Sequence, residues 1–140
     1  MEKEKTCKEL VRRNFRGRMD ELNRMAKEAQ SDDETTREAA YQEQAEYGLC
    51  FDYVPAETWE EQRAGYFRYQ LGWGGPSDEF RFFCDPQQKV VKIQYWYLDW
   101  FDGAKINLKG ADLEFMEAWF EDMKDCGMIE KLLTEANEAA

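Results

Sequence analysis

The chain has 140 residues and a formal net charge of −11, with 19 Lys and Arg against 30 Asp and Glu and no histidine. A chain of that length buries roughly 70% of its unfolded surface and supports one core, so a single domain over residues 1–140 is expected. The missing histidine excludes Ser-His-Asp and Cys-His catalysis and His-containing zinc sites, while 43% hydrophobic and 15% aromatic content excludes a disordered chain.

Other signatures are missing too. No apolar run approaches the roughly 18 to 20 residues that cross a bilayer, and the opening MEKEKTCKEL carries charges where a signal peptide is apolar. A soluble protein of the cytoplasm, with no membrane association, is the expectation. Cys7, Cys50, Cys84 and Cys126 contain no CxxC pair and read as reduced thiols, with Cys50 and Cys84 as small core residues. Ser31 and Ser77 lie outside any GxSxG elbow, and neither a GxxxxGK[ST] loop nor a GxGxxG fingerprint occurs, so no cofactor is expected.

In chain order, Val11, Phe15, Met19, Leu22, Met25, Ala26 and Ala29 recur every three or four residues and predict an amphipathic helix from about Lys5 to Gln30. Its other sides carry Arg12, Arg13, Arg16, Arg18 and Arg24. Ser31-Asp32-Asp33-Glu34 provides a cap for a second helix running to about Glu46 and ending at Gly48. Leu49 to Val54 reads as a short strand closed by Pro55, and Thr58-Trp59-Glu60-Glu61 has the form of a capping box opening one helical turn.

Tyr66 to Trp73 alternates, with Phe67, Tyr69, Leu71 and Trp73 against Tyr66, Arg68, Gln70 and Gly72. Past the turn at Gly74–Asp78, Phe80, Phe82 and Cys84 alternate with Glu79, Arg81 and Phe83. After Asp85-Pro86-Gln87-Gln88, Val91, Ile93, Tyr95 and Tyr97 alternate with Lys92, Gln94 and Trp96. Asp102-Gly103 is a further turn signal before a short strand at Lys105–Leu108. A helix from Gly110, with Leu113, Phe115, Met116, Trp119, Phe120 and Met123 on its apolar face, ends at Cys126-Gly127, and a last one spans Met128 to about Ala136. The fold class is therefore α+β, a three- to four-stranded antiparallel meander flanked by N-terminal and C-terminal helices.

Charge is segregated along this order. Residues 1–30 carry +3, residues 31–62 carry −9, residues 63–110 carry +2 and residues 111–140 carry −7. The two acidic blocks disfavour nucleic-acid phosphates and attract basic partners. The candidate contact residues are Asp32, Asp33, Glu34, Glu57, Glu60 and Glu61 with Trp59 as an anchor, and Glu117, Glu121, Asp122 and Asp125 as a second face. Asp78, Glu79, Asp99 and Asp102 are weak candidates for a Mg²⁺, Ca²⁺ or carboxylate-catalysis site, against the plainer reading of turn residues bonding their own backbone. Sixteen of the 21 aromatic residues fall between Tyr47 and Phe101, too many for a small sheet to hide completely.

The segments Tyr66-Phe67-Arg68-Tyr69-Gln70-Leu71-Gly72-Trp73-Gly74-Gly75-Pro76-Ser77-Asp78-Glu79-Phe80-Arg81-Phe82 and Tyr95-Trp96-Tyr97-Leu98-Asp99-Trp100-Phe101-Asp102-Gly103 resemble a signature of small acidic proteins carried on bacterial plasmids and integrative elements. The likeness covers the central third to half of the chain and transfers no catalytic residue. It implies a setting in which anti-restriction and anti-CRISPR inhibitors block host nucleases by occupying their basic surfaces. The expectation is thus a non-enzymatic inhibitor of a nucleic-acid-processing defence enzyme. Its alternatives are a small carboxylate-based metal-binding protein or enzyme, and an accessory scaffold dimerising through the first helix.

Overall fold

A computed structural model describes residues 6–139. Helix α1 (Cys7–Glu28) and helix α2 (Glu34–Glu46) precede strands β1 (Cys50–Val54), β2 (Tyr66–Gly72), β3 (Pro76–Cys84), β4 (Val90–Asp99) and β5 (Asp102–Asn107); α3 (Gly110–Asp125) and α4 (Met128–Ala139) follow. The expected helical start at Lys5 lies outside the described residues. The five strands form one antiparallel sheet in the order β1-β2-β3-β4-β5. Both strands set apart in the sequence reading join it at the edges, so the expected three to four strands become five.

Alternation gives the sheet two unlike faces. Phe67, Tyr69 and Leu71 on β2, Phe80 and Phe82 on β3, and Ile93, Tyr95 and Tyr97 on β4 are buried on the inner face. Helices α1 and α3 cover them, and Ile129 and Leu132 of α4 join the same core. The α1 stripe of Val11, Phe15, Met19, Leu22 and Met25 is buried in the same core, with the Phe15 ring 5.4 Å from that of Tyr95. The apolar stripe of the first helix is therefore occupied by the chain's own sheet. On α3, Trp119 stacks on Phe82 at 5.4 Å and on Tyr69 at 4.4 Å, and Phe120 stacks on Phe82 at 5.1 Å. Offset and tilted aromatic pairs of this kind add about 0.5 to 1.5 kcal/mol each beyond their buried area.

Local chemistry sets the ends. The Thr6 side chain accepts the Glu9 amide to start α1, and Asp33 accepts the Thr36 amide at 2.9 Å to start α2. Gly48, at φ +83°, turns the chain from α2 into β1 in a conformation that suits glycine, and an added Cβ there would strike the Tyr69 ring. Thr58–Glu61 forms turns rather than the expected helical turn. Gln62 prevents the helix: its amide bonds the Pro55 and Ala64 carbonyls, both at 2.9 Å, and its oxygen accepts the Trp59 amide at 3.0 Å. Trp73 and Val91, expected on core faces, are 77% and 66% exposed, because each lies at a turn or strand end where the sheet no longer covers it. Cys50, expected in the core, is exposed on edge strand β1. Among the described residues no helix is long and apolar enough to cross a membrane.

Candidate functional site

The acidic residues singled out by sequence fall on two sides of the sheet. Asp32, Asp33 and Glu34 are exposed at the start of α2. Asp33 is already engaged as a cap, accepting from both the amide and the hydroxyl of Thr36, which holds its carboxyl below the usual range. On α3, Glu121, Asp122 and Asp125 are exposed and Glu117 is half-buried. Asp122 stands at the rim of an apolar groove of about 520 Å³ where Met25, Tyr47, Phe51 and Trp119 meet, so the last turns of α1, α2 and α3 converge on the inner side. Glu57, Trp59, Glu60 and Glu61 lie in the β1–β2 loop, and the last three of them border the opposite, outer face of the sheet.

None of these ten carboxylates pairs with a cation among the described residues. Three of the five α1 arginines are engaged elsewhere: Arg16 with Asp20 and Asp112, Arg24 with Glu28 and Glu43, and Arg18 with Asp78.

The four weak metal candidates are not brought together as one group: Asp99 and Asp102 stand opposite each other where β4 meets β5, while Asp78 and Glu79 are engaged separately on β3. Neighbours on one strand, Asp78 and Glu79 point to opposite faces. Asp78 receives Arg18 at 2.7 and 3.0 Å and the Tyr95 hydroxyl at 2.7 Å, whereas Glu79 receives Arg81 at 2.7 Å. Asp102 accepts the Cys7 amide at 2.8 Å and thereby ties the start of α1 to β5. Among the described residues no group of three or more carboxylate and cysteine side chains is placed to hold a metal ion.

Sequence reasoning missed the outer face of the sheet. Strand register lays its side chains out in cross-strand rows. One row runs Asp52, Arg68, Arg81, Gln94 and Asn107; the next runs Cys50, Gln70, Glu79, Trp96 and Lys105. Two arginines directly opposite each other repel, and the structure offsets this by giving each its own carboxylate. Arg68 is held by Asp52 in a bidentate pair at 3.0 and 2.7 Å, and Arg81 by Glu79, which is only 3% exposed. The Arg81 guanidinium lies 4.1 Å from the Trp96 ring centre and 4.7 Å from that of Tyr66, and Lys92 and Lys105 sit over Phe83 and Trp96. The β1–β2 loop overhangs these rows to enclose a groove of about 630 Å³.

Polar groups of the groove floor are mostly satisfied. The Trp96 indole donates to Gln94 at 3.0 Å, Gln94 donates to Asn107 at 2.9 Å, and the Cys50 thiol donates to Gln70 at 3.5 Å. Tyr66 is the exception: its hydroxyl is buried with no hydrogen-bond partner among the described residues. Burial raises its pKa against the opposing pull of Arg81 and the nearby Trp59 indole, yet neither closes a hydrogen bond to it. The sequence signal for this face was present in the non-core residues of the three alternating runs, but alternation assigns a residue to a face without saying which residue lies opposite.

Comparison with protein-family models finds no match, and comparisons with curated proteins and with solved structures find none either.

Proposed function

We propose that this is a non-enzymatic binding protein of the cytoplasm that engages a basic protein surface through its unpaired carboxylates. In the setting implied by the sequence resemblance, that surface belongs to a nucleic-acid-processing defence enzyme, and occupying it inhibits the enzyme. The observation that carries the reading is the pairing pattern: Arg16, Arg18 and Arg24 neutralise Asp20, Glu28, Glu43, Asp78 and Asp112, while Asp32, Asp33 and Glu34 at the α2 start and Glu117, Glu121, Asp122 and Asp125 on α3 carry no cation among the described residues. Unpaired surface charge of one sign steers a complementary partner and raises its association rate by roughly 10- to 1000-fold, with steep dependence on salt.

Asp32, Glu34, Glu121, Asp122 and Asp125 lie on the helical side, whereas Glu60 and Glu61 border the outer groove, which supports taking the helical side as the principal contact in this reading. The test is capture of basic nucleases from host extract by the wild-type protein and by an Glu121→Lys, Asp122→Lys, Asp125→Lys variant, with competition by duplex DNA. Lysines at a helix C-terminus favour the helix dipole, so the variant keeps its fold. Wild-type capture that DNA competes away and that the variant loses supports the reading; capture indifferent to the reversal, or no basic nuclease at all, refutes it.

A further inference from the structure

We propose that the outer face of the sheet is a binding site for a small planar anion of the nucleotide class, a flat ring bearing phosphate. This site is independent of the acidic helical side. Its volume of about 630 Å³ lies within the range of small-molecule sites. The lining carries Arg63, Arg68, Arg81, Lys92 and Lys105 against Glu60, Glu61 and Glu79, a locally cationic groove on a chain of charge −11.

Donors remain available after the internal pairs are made. Asp52 takes Nε and Nη2 of Arg68, and Glu79 takes Nε of Arg81, which leaves Nη1 of Arg68 and both terminal nitrogens of Arg81 without a hydrogen bond among the described residues. Guanidinium groups already fixed by carboxylates lose little further freedom on meeting a phosphate, the condition for strong charge-assisted bonds. The buried Tyr66 hydroxyl beneath the same loop, without a hydrogen-bond partner among the described residues, is a polar group that a ligand atom would satisfy.

The ring is inferred from the walls. Trp59, 56% exposed on the loop, and Trp73, 77% exposed just past β2, line the groove together with Trp96 of β4. Stacking of a base on such a side chain contributes roughly a 5- to 150-fold gain in affinity. The overhanging loop is built for rigidity at some backbone cost. Gln62 ties it together, while Glu57 and Glu61 hold φ of +65° and +63°, a left-handed conformation unusual outside glycine and concentrated at ligand clamps. A free ligand is favoured over a strand because Glu60 and Glu61 at the rim and the remaining surface charge repel an extended polyanion.

The experiment titrates the full chain with AMP, inorganic phosphate and a short oligothymidylate, reading tryptophan fluorescence and heat. Saturable AMP binding is expected, weakened at least about 10-fold by Trp59→Ala and by Lys92→Glu with Lys105→Glu, all exposed positions whose loss leaves the fold intact by circular dichroism. Tyr66→Phe is expected to weaken AMP several-fold without loss of thermal stability. No saturation at millimolar AMP, or saturation that these variants leave unchanged, overturns the site. Phosphate binding as tightly as AMP overturns the ring, and oligothymidylate binding more tightly than AMP overturns the free ligand.

Discussion

Replacing Asp78 by asparagine tests the clamp that joins α1 to the sheet. The Asp78 side chain is 8% exposed and accepts two bonds from Arg18, whose own side chain is 26% exposed, and a third from the buried Tyr95 hydroxyl. Breaking a fully buried pair costs about 3 to 5 kcal/mol; because Arg18 keeps some contact with water and asparagine retains one acceptor, about 2 to 3 kcal/mol is expected here. For a chain of this size that corresponds to a fall in Tm of roughly 6 to 10 °C. Urea denaturation followed by circular dichroism reads the change directly, with the m-value unaltered. Arg18→Met alone and the Asp78→Asn, Arg18→Met double variant complete a cycle, whose coupling energy is expected to exceed about 1 kcal/mol. A fall under about 2 °C with coupling under about 0.5 kcal/mol would show a solvated contact of little weight and refute the clamp.

Gly48→Ala forces a side chain into a left-handed residue and against the Tyr69 ring, and is expected to cost about 2 kcal/mol or more in chemical denaturation. Asp33 holds a depressed pKa through its bonds to Thr36, so the cap it makes is present above the ordinary carboxylate pKa and is lost as pH falls through the depressed value. Amide exchange at Thr36 is expected to accelerate in strong acid, and Asp33→Ala should remove that pH dependence. Burial pushes the Cys84 thiol up to about 12, and Cys7 is buried with its pKa also raised, while Cys50 and Cys126 are exposed. A thiol reagent at pH 8 should modify Cys126 in the folded protein and reach Cys84 and Cys7 only on unfolding. Phe82→Leu removes stacking on Trp119 and Phe120 and should lower stability by about 1 to 3 kcal/mol in the same urea assay.

The periodic segments were legible because each carries its own packing instruction. The α1 stripe from Val11 to Met25 and the alternation of Phe67, Tyr69 and Leu71 are statements about one face of one element, and the core uses them as read. Trp59 and Glu60 were misread as a helical start because a capping box is a local preference, and Gln62 outweighs it with three loop-closing bonds. Asp78 and Glu79 looked like a carboxylate pair in sequence and are partners of different arginines on opposite faces.

By itself the sequence determined the excess of acid, the absence of histidine chemistry, the helices and the two-faced strands, since composition and period are properties of the chain alone. Tertiary structure decided which charges neutralise one another and that Arg68 stands opposite Arg81 beneath the β1–β2 loop. Those facts depend on strand register and on contacts across tens of residues, as between Arg18 and Asp78, and no local pattern encodes a distance of that kind.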